Sequence, residues 1–173
     1  MVNLIDIYNW AMENEVRPGV KAIVSSALTD LRFLKESLEA SHIKSLVEIG
    51  TCYGLSAALF AQYAENVSTF DVANFEGRQE LWKNLEVQGK IGFFQIKNRE
   101  DIKKWLDIIQ FDFAFIDARH EVVEVRKDFA LVKKCGRVLF HDVDEIRYPD
   151  NYAFLMEIEG DIVCGNTGYW EKK

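Results

Sequence analysis

Residues 47–61 read Val47-Glu-Ile-Gly-Thr-Cys-Tyr-Gly-Leu-Ser-Ala-Ala-Leu-Phe-Ala61, and their reading decides the fold. An apolar run, Ser45–Gly50, has the length and β-branched content of a buried strand. An Ala-rich helix, Leu55–Ala64, follows after a glycine-bounded loop. Strand, tight glycine loop and helix together form the opening of a βα unit. Glycine lets such a loop turn sharply and lets a ligand approach the backbone. The helix N-terminus beyond it presents unpaired amides.

Downstream, the same alternation repeats. Strands are expected at Val67–Asp71, Ile91–Ile96, Phe111–Asp117 and Gly136–Asp142, with helices at Gln79–Val87, Asp101–Gln110 and Glu121–Lys133. Ile102, Trp105, Leu106 and Ile109 fall at helical spacing, as do Val122, Val125, Phe129 and Val132. Strands apolar on both faces, alternating with amphipathic helices, make a parallel sheet covered on both sides. After Tyr148-Pro149 the pattern changes to a short helix, Asn151–Ile158, and a closing hairpin, Asp161–Cys164 with Gly168–Glu171, around Gly165-Asn166-Thr167-Gly168. Upstream, residues 1–42 read as a helical preface. Leu4, Ile5, Tyr8 and Ala11 form one stripe, Pro18-Gly19 a break, and Thr29-Asp30 a capping junction before Leu31, Leu34 and Leu38. The chain is thus expected to be one domain, 1–173, with its core over 45–173.

At 173 residues and 49% hydrophobic composition, the chain can bury one substantial core. A net charge of −7 repels nucleic-acid phosphates and anionic lipid, and Lys103-Lys104 and Lys133-Lys134 read as solvated helix faces. No nucleic-acid or membrane partner is therefore expected. No window approaches the roughly 18 apolar residues of a membrane span, and Met1–Trp10 lacks the basic start and apolar run of a secretory signal. Cys52, Cys135 and Cys164 are odd in number and form no C-x-x-C pair, so neither a disulfide framework nor a zinc site is indicated. The reading is a reduced, cytoplasmic protein.

The loop spacing discriminates between cofactors. A dinucleotide fingerprint needs G-x-G-x-x-G to bring amides onto a pyrophosphate. Here Gly50 and Gly54 are separated by three residues, and acidic Glu48 lies just before them. A carboxylate there suits a cofactor with a cationic amino-acid tail. About twenty residues past Gly50, Asp71 closes the second strand, where a carboxylate can accept hydrogen bonds from both ribose hydroxyls.

A second cluster lies at two neighbouring strand ends. The fourth strand ends in Asp117-Ala118-Arg119-His120, the fifth in His141-Asp142. Ligands bind outside the carboxyl ends of parallel strands, and adjacent strands lie about 5 Å apart, so these side chains converge. Two arrangements fit them. In one, Asp117, His141 and Asp142 hold Mg²⁺ or Mn²⁺ and His120 is a general base. In the other there is no metal: His141 and Asp142 cap the strand, and His120 alone is the base.

Taken together, VEIGTCYGLSAALFA, FDFAFIDARHEVVEVRKDFALV and GRVLFHD resemble the class I S-adenosylmethionine-dependent methyltransferases of the small-molecule O-methyltransferase type. The nearest likeness is to the subgroup with I-D-G-D-H after the fourth strand and H-D after the fifth. The resemblance implies a Rossmann-like, doubly wound, mostly parallel seven-stranded sheet of order 3-2-1-4-5-7-6 with a terminal antiparallel hairpin. It also implies S-adenosylmethionine as cofactor and a small-molecule acceptor, either a sugar or a phenol. Glu48, Gly50, Thr51, Cys52, Tyr53 and Gly54 fall on the family's first cofactor motif, Asp71 and Val72 on its ribose-binding strand end, and Asn98-Arg99 where adenine is framed. Asp117 counts toward both the cofactor and metal sets; His141 and Asp142 complete the metal set, and His120 stands at the base position. Two departures stand out: Ala118-Arg119 replaces a small residue and an acid, and Cys135-Gly136 replaces Pro-Gly-Gly. Arg119 either weakens a cation site by repulsion or pairs with an anionic substrate. Tyr8 and Trp10, or a second subunit in a homodimer, are candidates to cover the cleft. Two competing readings are a nicotinamide-dependent oxidoreductase, against which the glycine spacing argues, and a non-catalytic S-adenosylmethionine-binding module.

Overall fold

The computed structural model describes Leu38, residues 42–75 and residues 77–173, apart from the side chain of Cys164. The expected preface over 1–42 otherwise lies outside the described residues, as do Tyr8 and Trp10.

In chain order the elements are β1 (Ile43–Ile49), α1 (Leu55–Tyr63), β2 (Ala64–Asp71), α2 (Arg78–Asn84), β3 (Ile91–Gln95), α3 (Arg99–Leu106), β4 (Phe113–Ile116), α4 (Val122–Val132), β5 (Arg137–Phe140), α5 (Pro149–Glu157), β6 (Asp161–Cys164) and β7 (Thr167–Glu171). They form one seven-stranded sheet of order β3-β2-β1-β4-β5-β7-β6. Strands β1 to β5 pair in parallel, and the β6–β7 hairpin closes the sheet antiparallel against β5. This is the Rossmann-like order expected from the resemblance.

Strand alternation divides the core in two. On one face Leu46, Val67, Phe113, Phe115 and Leu139 pack under α1 and α2 through Ala57, Phe60, Leu81 and Trp82. On the other, Val47, Ile49, Phe70, Ala114, Ile116, Val138 and Phe140 meet Ile102, Leu106, Val125, Phe129, Phe154 and Leu155 of α3, α4 and α5. Ala57, Ala58 and Ala61 are fully buried, and their short side chains let α1 lie close on the sheet.

Several boundaries differ from the sequence reading. Strand β2 begins at Ala64 rather than Val67, because α1 passes directly into it: the Ala64 amide still bonds to the Phe60 carbonyl. Helix α3 begins at Arg99, because the Asn98 side chain accepts from the amides of Glu100 and Asp101 and caps it. Strand β5 stops at Phe140, since Asp142 has a left-handed φ of 54° that ends the extended run.

Candidate active site

Register sets the site. Ile49 lies opposite Ile116, and Ile116 opposite Phe140. Gly50, Asp117 and His141 therefore leave β1, β4 and β5 at one level. The Gly50 amide bonds back to Phe70, the Asp117 amide to Ile49 and the His141 amide to Ile116.

Both loop glycines are required by the protein's own packing. Gly50 has φ 102°, and a Cβ there would lie 2.2 Å from the Asp117 carbonyl oxygen. Gly54 has φ 78°, and a Cβ there would meet Arg78 and Trp82 at 2.8 Å. The Trp82 indole donates to the Gly54 carbonyl at 2.9 Å. Buried Arg78 donates to the carbonyl of Cys52 at 3.0 Å and to Asn74 at 2.9 Å, with its guanidinium over the Phe93 ring. Helix α2 thus clamps the loop after β1, a contribution no motif announces.

Glu48 is fully buried, and each carboxylate oxygen accepts a hydroxyl, one from Ser56 and the other from Thr69. Thr69 also shares a 2.5 Å hydrogen bond with Thr51. Burial is the main cause that raises the Glu48 pKa to about 8, with Asp117 and Asp71 adding to it. Glu48 therefore holds the loop from beneath. Asp71 accepts from the amides of Cys52 (2.7 Å) and Ala73 (2.9 Å), one on each oxygen. Tyr53 rests against Phe75, with ring centroids 4.8 Å apart, and Val72 is 62% exposed beside Asp71.

Asn98 and Arg99 stand after β3 as expected, but their side chains are engaged elsewhere. Asn98 caps α3, and the Arg99 guanidinium is taken by Asp128 (Nε to Oδ1, 2.5 Å) and Glu124 of α4.

The strand-end cluster forms as the sequence suggests. Asp117, His141 and Asp142 each offer one ligand atom, all within 4.8 Å of one another. His141 Nδ1 lies 3.1 Å from Asp117 and 3.4 Å from Asp142. His120 Nδ1 lies 2.5 Å from Asp142 Oδ2. That hydrogen bond raises the His120 pKa. The two imidazoles overcome the burial of Asp142 and depress its pKa well below the carboxylate range. Three groups that the sequence reading gave only structural places join them: Asn151, Asn166 and Tyr148, whose ring centroid is 5.7 Å from that of His120. A cavity of about 260 Å³ opens beside His120, lined also by Val122, Val123, Arg147, Tyr148 and Pro149. Arg119, next to His120 in the chain, is exposed. Among the described residues, no helix is long and apolar enough to cross a membrane.

A model of the methyltransferase domain matches residues 47–143, and the chain belongs to that family. No curated protein matches it by sequence. Solved structures share the fold. The tomaymycin-synthesis O-methyltransferase TomG of Streptomyces achromogenes, in complex with SAM, is 16% identical, the match covering 84% of this chain and 81% of that one at a TM-score of 0.66. The SAH-bound methyltransferase PaMTH1 of Podospora anserina is 18% identical, covering 98% and 88% at 0.68. The TDP-rhamnose 3'-O-methyltransferase CalS11 of calicheamicin biosynthesis is 16% identical, covering 97% and 92% at 0.59.

Proposed function

We propose that this methyltransferase transfers a methyl group from S-adenosylmethionine to a hydroxyl oxygen of a small molecule, with His120 as general base. One observation carries the reading: the loop at 50–54 with Asp71, and the His120–Asp142 pair, open at the same level of one sheet. The SAM- and SAH-bound state of two of the similar structures and the sugar O-methylation named for the third support it.

The residues present fit the donor. Asp71 and Asp117 lie close enough to Glu48 to raise its pKa, and their field suits a cationic ligand and disfavours pyrophosphate. S-adenosylmethionine supplies a methyl group already activated on a sulfonium centre, which leaves alignment and proton handling to the protein. Asp71, fixed by two backbone amides, retains lone pairs for the ribose hydroxyls. With His120 Nδ1 directed at Asp142, Nε2 is the nitrogen left to take the acceptor's proton. The cavity of about 260 Å³ beside it has the dimensions for a small acceptor.

Asp117, His141 and Asp142 also fit a divalent cation, Mg²⁺ or with the imidazole Mn²⁺, which would lower the pKa of an acceptor hydroxyl. A metal-free reading is favoured by the Asp142 oxygens, which already hold His120 and Asn166. The free cysteines Cys52 and Cys135 accord with a reducing, cytoplasmic setting.

The test is thermal unfolding with S-adenosylhomocysteine, with and without Mg²⁺ or Mn²⁺. Ligand at 100 times its dissociation constant stabilises by about 2.7 kcal/mol. For a chain of this length that is roughly 5–11 °C. An unchanged midpoint at millimolar S-adenosylhomocysteine would refute the donor assignment.

A further inference from the structure

We infer that Asn151 and Asn166 are positioning residues that lock Asp142, and through it His120, into the geometry of a working base. The inference rests on the reading of His120 given above, and concerns two residues that neither touch the donor loop nor carry acid–base chemistry.

Asp142 holds a φ of 54° directly after β5. A non-glycine residue keeps that conformation only where its surroundings impose it. Two amide side chains do so here, one from α5 and one from the β6–β7 turn. Asn151, in the first turn of α5 and 2% exposed, donates through Nδ2 to the backbone carbonyl of His120 (2.9 Å) and to that of Asp142 (3.0 Å). One amide group thereby ties the loop after β4 to the loop after β5. Asn166, in the turn between β6 and β7 and 4% exposed, donates through Nδ2 to Asp142 Oδ1 at 3.0 Å.

The second contact has a chemical consequence. Asp142 has two oxygens, and Asn166 occupies one. The other, Oδ2, is left to face His120 Nδ1 at 2.5 Å. A carboxylate held in this way fixes which ring nitrogen carries the proton, and so which one is open to accept another. Only a donor can do this at position 166. A carboxylate would repel Asp142, and an apolar group would leave Oδ1 with only the longer 3.4 Å contact to His141 Nδ1.

The test is imidazole ¹⁵N and proton NMR of the whole chain after chelator treatment. The chain has three histidines, His42, His120 and His141, assigned by single His→Gln variants. The expected result for the unaltered protein is one far-downfield Nδ1 proton on His120, slow to exchange, with the neutral ring in a single tautomer. Asn166→Leu and the size-matched Asn166→Asp should lose that resonance and mix the tautomers, and Asn151→Asp should do the same. Backbone amide spectra of each variant verify that the fold is intact, and Asn166→Asp guards against a cavity effect in Asn166→Leu. If the resonance persists unshifted in both Asn166 variants, the inference is overturned while His120 remains the base. If the unaltered protein lacks it, the oriented base itself is wrong.

Discussion

Replacing Glu48 with Gln asks whether a buried acid at the base of the donor loop is a burden on the fold. Its pKa stands at about 8 against an ordinary 4.5, principally through burial. The native state therefore binds a proton that the unfolded chain releases between pH 4.5 and 8, and stability falls as pH rises through that window. A shift of about 3.5 units at about 1.36 kcal/mol each amounts to roughly 5 kcal/mol at alkaline pH. Gln preserves shape and can use the same partners: its amide donates to Thr69, which can pass its own proton to Thr51. Urea unfolding of both proteins at pH 5, 7 and 9 gives the answer. Other titrating groups, His120 among them, contribute equally to both and cancel in the difference. The variants should be matched at pH 5, with Glu48→Gln more stable by about 3–5 kcal/mol at pH 9. A difference that stays constant across pH would refute the account of Glu48 as a neutral, buried group.

Other consequences follow from the same geometry. Gly50→Ala forces a Cβ against the Asp117 carbonyl at φ 102°, and overpacking plus backbone strain should destabilise by about 3 kcal/mol or more. Its unfolding midpoint should drop by roughly 6–12 °C with the S-adenosylhomocysteine response lost, and a variant that melts and binds normally would show the loop to be adaptable. His120→Ala should slow turnover by roughly 10²–10⁴ while leaving donor binding in place, and a near-normal rate removes it as base. Chelation followed by add-back of Mg²⁺ or Mn²⁺ decides the role of Asp117, His141 and Asp142: activity lost and restored places a cation there, and unchanged activity leaves the metal-free base.

The parallel βα alternation and the level at which the site opens were legible because they follow from repeated patterns, namely apolar strands, helical stripes and a glycine loop, and the strand order was implied by the family resemblance. Asp71, Asp117, His120, His141 and Asp142 stood out as chemistry-bearing residues at strand ends. Their supports did not. Ser56 and Thr69 are isolated hydroxyls, and Asn151 and Asn166 lie 9 and 24 residues from the aspartate they hold. Arg78 and Trp82 act on the donor loop from a helix whose sequence carries no motif. Asn98 was readable on local grounds: an Asn followed by Arg-Glu-Asp is an N-cap signal, and the family likeness drew attention to adenine instead. Residues 65–66, Glu-Asn, looked like a connection because a helix rarely becomes a strand without one.

That missing connection governs where this chain can change length. Tyr63 ends α1 and Ala64 begins β2, and the Lys90 ammonium secures the seam by donating to the carbonyls of Ala61 and Ala64. One extra residue there would shift the strand by a step and swap its two faces, turning Thr69 and Asp71 away from their partners. Evolution or an engineer seeking to lengthen this protein must therefore leave the 63–64 seam alone.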